Sequence, residues 1–115
     1  MITENCQFVM ALQDAYKSSY SWGRASGVNG ILTTTDSSTA KTDYRGNENT
    51  TVILNQFSDN YAAYHCRAFT FPNGSKGYLG AAGEWQTALD NKNAIVSALS
   101  KCGGTAMSKY YWTST

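Results

Sequence analysis

Residues 110–115 have the sequence YYWTST, and this aromatic and β-branched stretch decides the predicted fold. Tyr, Trp and Thr suit the half-buried surface of a sheet, so the stretch is predicted to be a β-strand. Side chains alternate between the two faces of a strand, which separates Trp112 from Tyr111 and Thr113. Trp on an inner face usually packs, so Trp112 is predicted to be a core residue. Tyr111 and Thr113 are then candidates for an exposed binding surface.

Upstream of this strand, helical periodicity predicts segments at residues 50–57, 61–66, 82–90 and 93–101. Asn49 is the predicted N-cap of the first segment. In the third, Trp85, Ala88 and Leu89 share one face and are predicted to be buried. Gly103 is placed for a positive-φ cap after the last helix. The sequence FPNG at residues 71–74 predicts a turn.

The N-terminal part of the chain is ambiguous. Residues 6–12 alternate as a strand would, yet Phe8, Leu12 and Tyr16 are also spaced as on a helix, and periodicity alone does not decide. Residues 17–46 are rich in Ser, Thr and Gly and are predicted to be a long irregular loop. With the strand at residues 6–12, the predicted fold is α+β: two or three helices on a small, irregular antiparallel sheet.

Composition bounds the functional classes. The chain has 115 residues, which fits one domain. Charged residues are 15% of the chain, below the roughly 25% usual for soluble domains, and the net charge is +1 with no basic cluster. Nucleic acid is therefore not an expected partner, because binding phosphate needs clustered Lys and Arg. No apolar stretch approaches the roughly 20 residues that a membrane span requires, and the first residues do not form a signal peptide.

Residues with catalytic or metal-binding chemistry are few. Cys6, Cys66 and Cys102 are widely spaced, so a zinc site is not predicted. Three reduced and mostly buried thiols are the favoured interpretation, and a Cys66–Cys102 disulfide is the alternative. His65, the only histidine, is predicted to be half-buried and structural, and the acidic residues are isolated. The sequence therefore predicts no enzyme activity, no metal and no cofactor.

Several short motifs together resemble a known family. They are VMALQDA at 9–15, TDYRGNENT at 42–50, FPNG at 71–74, GYL at 77–79, GEWQ at 83–86, NK at 91–92, GGTA at 103–106 and YYWTST. This series resembles C-type-lectin-like domains that are distantly related to the formylglycine-generating enzyme fold and occur in surface and phage fibre proteins of gut anaerobes. The resemblance favours the strand at residues 6–12.

The sequence departs from this family at two places. Gly80 stands where the family has Pro, and the family continues beyond the YYWTST strand. Residues 1–115 are therefore expected to be a single domain that lacks its C-terminal strands. The calcium-dependent sugar motifs of true C-type lectins are also absent, so metal-dependent sugar binding is not expected.

The resemblance implies a non-catalytic recognition domain of a phage virion, in a tail or head fibre, or of a bacterial surface protein. Its expected partners are a host surface glycan or protein and other virion or fibre subunits, in an oligomer. Tyr111, Thr113 and Tyr78 are the candidate ligand-binding residues. The alternative is a structural decoration or assembly domain of the virion with no host ligand. A third hypothesis is a formylglycine-generating-type oxidase with Cys66 and Cys102 at a copper site.

Overall fold

Helices dominate the part of the chain that the computed structural model describes, which is residues 9–12, 14, 22, 28–57, 61–104 and 111–115. The helices are α1 (Ser37–Ala40), α2 (Gly46–Gln56), α3 (Ala62–Ala68), α4 (Ala82–Asp90) and α5 (Lys92–Lys101). They hold 48% of the described residues, whose only β-pairing is an isolated antiparallel bridge between Thr70 and Lys76. The predicted α+β fold with a small antiparallel sheet is therefore wrong.

Residues 111–115 do not form the predicted strand. The Ser114 amide donates to the Gly80 carbonyl at 2.8 Å, but no ladder of such bonds follows among the described residues. Ser114 is completely buried, whereas Trp112 is 53% exposed, so the assignment of Trp112 to the core is wrong. This segment is held by side-chain hydrogen bonds of Ser114 and Thr115 and not by pairing with other strands.

The predicted N-terminal strand is also wrong where the structure describes it. Residues 9–12 are irregular, and Val9 and Leu12 are 76% and 49% exposed, so they form no buried strand face. Residues 6–8 lie outside the described part of the chain. In the described part of the predicted loop at 17–46, α1 is a helix that the sequence did not predict, and Asp36 is its N-cap. The Asp36 carboxylate accepts a hydrogen bond from the Thr39 amide at 2.9 Å, as an N-cap does.

Helix α2 is the best-buried element and has two kinds of residue on its inner face. Gly46, Asn49, Thr50 and Ile53 recur at helical spacing and are all buried. The first three bring polar groups and backbone into the interior, and Ile53 begins the apolar core. The helix starts before the predicted N-cap Asn49, since Asn49 uses its side chain for tertiary hydrogen bonds instead.

The apolar core lies between α2, α3 and the segments before and after them. Its buried residues are Val28, Ile53, Phe57, Ala62, Ala63 and Leu79. Helix α3 presents two alanines to this core, and small side chains let neighbouring helices approach closely. On the outside, the Arg67 guanidinium donates to the Asn47 side-chain and backbone oxygens and to the Thr51 hydroxyl, which ties α3 to α2.

Helix α4 has the predicted bounds, but its buried face is different. Gly83, Glu84 and Ala88 are buried, while Trp85 is half-buried and Leu89 is 54% exposed. The face of α4 that carries Glu84 is buried because the Glu84 carboxylate accepts a hydrogen bond from the Ala81 amide, just before the helix. The prediction was right for Ala88 and wrong for Leu89.

The predicted turn and the glycine cap are both confirmed. The Gly74 amide donates to the Phe71 carbonyl at 2.9 Å, and Gly74 has a φ of 87°. After α5, Gly103 has a φ of 71° and the Gly104 amide donates to the Leu99 carbonyl. In the described residues, no helix combines the length and the apolar character that crossing a bilayer requires.

Thr50 joins α2 to the segment before α4, and its hydroxyl can be tested. The hydroxyl donates to the Gly46 carbonyl at 2.7 Å and accepts from the Leu79 amide at 2.9 Å, in a fully buried site. Thr50→Val keeps the shape but leaves the Leu79 amide without this acceptor. We expect it to lower the free energy of unfolding by about 1–3 kcal/mol in urea titrations.

The neighbouring Thr51 is the matched control, because it is exposed and its hydrogen bonds to Asn47 and from Arg67 lie at the surface, where water can replace them. Thr51→Val should change the free energy of unfolding by about 0.5 kcal/mol or less. Equal losses in the two variants would show that the Thr50 hydroxyl has no special role.

Candidate functional site

A buried polar network organises the region where α2, α4 and the C-terminal residues meet. We call it the Asp43 network, and it comprises Asp43, Asn49, Ser114 and Thr115. One Asp43 carboxylate oxygen accepts from the Arg45 amide at 3.0 Å. The other accepts from the Asn49 side chain at 2.7 Å and from the Thr115 hydroxyl at 2.9 Å. A buried carboxylate is costly unless such donors surround it, so these contacts stabilise each other.

The same network fixes the C-terminal residues against α4. The Asn49 amide group also donates to the Ser114 hydroxyl at 3.3 Å, and the Ala82 amide donates to the Thr115 hydroxyl at 2.9 Å. The Gly83 amide donates to the Asp43 carbonyl at 2.8 Å. The first amides of α4, which have no partner within the helix, are thus satisfied by Thr115 and Asp43.

Beside this network lies an open cleft of about 370 Å³, which we call the indole cleft. The described residues that line it are Trp22, Thr33, Trp112, Thr113 and Thr115. The Trp22 indole N–H donates to the Thr113 carbonyl at 2.6 Å. This bond holds the indole ring against a segment 91 residues away in the sequence. Trp112, which also lines the cleft, is 53% exposed. The cleft therefore combines two indoles with three hydroxyl-bearing side chains.

Only one of the predicted ligand-binding residues lines this cleft, and it is Thr113. Tyr111 stacks on Trp85 with ring centroids 4.6 Å apart and donates from its hydroxyl to Asp14. Tyr78 is half-buried and donates to Glu84 at 3.2 Å. Both tyrosines therefore have packing and hydrogen-bonding roles within the chain.

Sequence patterns did not predict the other residues of the cleft. Trp22 and Thr33 belong to the stretch predicted as loop, and nothing in their spacing relates them to residues 112–115. Trp112 was assigned to the wrong side of a strand. An isolated Trp within a Ser- and Gly-rich stretch was the one available signal, since a long loop held by its own aromatics is often functional.

Glu84 is the buried carboxyl closest to the start of α4. Burial raises the pKa of the Glu84 carboxyl above its ordinary value of 4.5, although hydrogen bonds from the Ala81 amide and the Tyr78 hydroxyl lower it. Asp43 acts with burial to raise this pKa. A β-carbon on Gly46 would clash with the Glu84 carboxylate. Glycine at position 46 therefore leaves the space that this carboxylate occupies.

Cys66, Cys102 and His65 are the thiols and the histidine within the described part of the chain, and Cys6 lies outside it. Cys66 and Cys102 are both free, so the structure does not contain the disulfide that the sequence left open. Cys66 is half-buried, and burial raises the pKa of its thiol to about 11, whereas Cys102 is exposed, contrary to the prediction. His65 is half-buried as predicted and packs edge-on against Tyr64.

Comparison with known proteins gave no match, whether to a family model, to a curated protein or to a solved structure. The described residues that line the indole cleft offer aromatic rings and hydroxyls, which are groups that bind ligands.

The role of Asp43 can be tested by removing its charge. Asp43→Asn replaces one acceptor oxygen by an amide donor that faces other donors. We expect the free energy of unfolding to fall by about 1.5–3 kcal/mol, as for hydrogen bonds to charged groups. Asp90→Asn is the control, because Asp90 is exposed and accepts one bond from Gln86. Similar small losses in both variants would contradict the proposed importance of the network.

The pKa of Glu84 predicts a pH dependence of stability. Because folding raises this pKa, the protonated form is favoured in the folded state. The stability contribution of Glu84 is then fully present below about pH 4.5 and is lost as pH rises through the raised pKa. The free energy of unfolding of the wild type, minus that of Glu84→Gln, should increase as pH is lowered from 7 toward 4.5. A difference that decreases on acidification would indicate a lowered pKa instead.

Proposed function

We propose that this chain is a non-catalytic recognition domain that binds a host surface glycan or protein through the indole cleft. The observation that carries the proposal is the cleft itself, with an exposed indole, a second indole held in place and three threonines. Trp is enriched among residues that dominate binding energy, because its large rigid surface is ordered at low entropic cost.

The rigidity of the cleft supports a binding role. Thr115 is held by Asp43 and by the first amide of α4, and Trp22 is held by the Thr113 carbonyl. Side chains that are already fixed lose little freedom when a ligand binds, which favours affinity. The Asp43 network thus serves the cleft by holding one of its walls.

The proposed location is a phage virion fibre or a bacterial cell surface. The motif resemblance supports this location, and the low proportion of charged residues agrees with it. The proposed partners are a host surface component and neighbouring fibre subunits in an oligomer.

An assembly role is the second candidate. Leu89 and Val96, on α4 and α5, are 54% and 44% exposed. Apolar side chains on a surface are common singly, but a neighbouring subunit could cover them. In this case the domain would contact other virion proteins and no host ligand.

The proposal is tested by binding of the labelled protein to cells of gut anaerobic bacteria, measured by flow cytometry. Trp112→Ala should reduce binding at least tenfold, because truncating an aromatic anchor costs about 2 kcal/mol or more. Tyr64→Ala is the control, since Tyr64 is an exposed aromatic residue that does not line the cleft.

Equal binding by wild type and Trp112→Ala would contradict the proposal. Absence of binding to every strain, together with self-association that Val96→Asp abolishes, would instead favour the assembly role.

A further inference from the structure

We infer that Asn29 is a site of spontaneous deamidation, at which the folded chain converts its own asparagine to aspartate and isoaspartate. Asn-Gly pairs occur twice in the sequence, at residues 29–30 and 73–74. A glycine after asparagine has no side chain to block the approach of its backbone nitrogen to the asparagine side chain. The sequence therefore makes both pairs reactive, and the structure distinguishes between them.

The reaction needs only the two residues of the pair and water. The Gly30 backbone nitrogen attacks the side-chain carbon Cγ of Asn29, so that a new C–N bond forms and the Cγ–Nδ2 bond breaks. Nδ2 leaves as ammonia with the proton of the Gly30 amide, and a five-membered succinimide ring remains. Water then adds to either carbonyl of the ring and opens it to aspartate or isoaspartate. Nothing is oxidised or reduced.

At Asn73–Gly74, hydrogen bonds hold both reacting groups. The Gly74 amide donates to the Phe71 carbonyl at 2.9 Å, and the Asn73 side-chain oxygen accepts from the Ser75 amide at 3.0 Å. The attack requires the Gly74 nitrogen to lose its proton and the Asn73 side chain to turn toward it. These bonds must therefore break first, which raises the barrier and protects Asn73.

At Asn29–Gly30, the corresponding groups are available. Both residues are exposed. The Gln56 side chain accepts from the Asn29 backbone amide at 3.1 Å and donates to the Asn29 carbonyl at 2.6 Å. Neither bond involves the Gly30 amide or the Asn29 side chain, and in the described part of the chain neither group has a hydrogen bond. The barrier that protects Asn73 is therefore missing here.

Deamidation at Asn29 would change a contact that supports the apolar core. Val28, the preceding residue, is 5% exposed, and Gln56 is the last residue of α2. The Asn29–Gln56 bonds thus hold this turn against the end of α2. Isoaspartate inserts a methylene into the main chain before Gly30, which displaces Gly30 from its place beside Val52. The modified chain is therefore expected to unfold at a lower denaturant concentration.

The inference is tested by incubating the whole chain at mildly alkaline pH, folded in buffer and unfolded in guanidinium chloride. Peptides that contain Asn29 and Asn73 are then quantified by chromatography and mass spectrometry, which separate asparagine, aspartate and isoaspartate. In the folded chain, Asn29 should be converted about threefold to tenfold faster than Asn73, because hydrogen bonds must break at Asn73. In the unfolded chain, where neither turn persists, the two rates should be similar.

Two matched variants link the product to its site. Asn29→Gln keeps an amide side chain but would have to close a six-membered ring, which forms more slowly, so most of the deamidation of the folded chain should disappear. Asn73→Gln should leave most of it. Hydroxylamine attacks the succinimide ring, so it should cleave the folded wild-type chain mainly after residue 29.

Conversion of Asn73 in the folded chain as fast as that of Asn29 would overturn the inference. A rate ratio that is the same in the folded and unfolded chains would overturn it as well, since the structure would then have no part in the selectivity. So would an Asn29 that is converted in guanidinium chloride but stays unchanged in the folded chain. An isoaspartate-containing fraction with the denaturation midpoint of the wild type would contradict the predicted effect on the contact with α2.

Discussion

The buried carboxylate of Asp43 is the group on which the geometry of the described part of the chain depends. It accepts hydrogen bonds from the backbone before α2, from a side chain within α2 and from the C-terminal Thr115. These donors come from positions as far apart as residues 45 and 115. A carboxylate removed from water needs such partners, so the three segments are held together or the charge is left unsatisfied.

A second set of polar contacts joins α2 to α4 and to the segment before α4. The Thr50 hydroxyl bonds to the Leu79 amide, and Glu84 lies against Gly46. Polar groups thus position α4 relative to α2, and the apolar core that begins at Ile53 supplies most of the burial. Polar contacts of this kind fix one arrangement, while apolar burial provides the main driving force.

The positions of the helices were predicted better than the identity of their buried faces and of the segments that pack against them. The bounds of α4 were correct, because its periodicity and the flanking glycines are local signals. The predicted sheet was wrong, because the composition of YYWTST favours a strand but does not show whether a partner strand exists. The tendency of a residue to form a strand depends on that context. Buried Ser114 accepts a hydrogen bond from Asn49, which is 65 positions away, and no local pattern reveals this contact.

The candidate site could be predicted only in part for a related reason. Thr113 was identified, but Trp22 reaches the cleft through a hydrogen bond that spans 91 residues. Asp43, Glu84 and Ser114 each lie within one of the motifs, at residues 42–50, 83–86 and 110–115, but the motifs did not predict that Ser114 is buried and Trp112 exposed.

The central claim is that the Asp43 network fixes residues 113–115 as a wall of the indole cleft. Native-state hydrogen exchange of the Ser114 and Ala82 amides tests it most directly, since both amides donate within this region. If the claim is correct, both should exchange only through global unfolding, at the same free energy as the Phe57 amide of the core. Exchange of Ser114 and Ala82 at the rate of unprotected amides, while Phe57 remains protected, would contradict it.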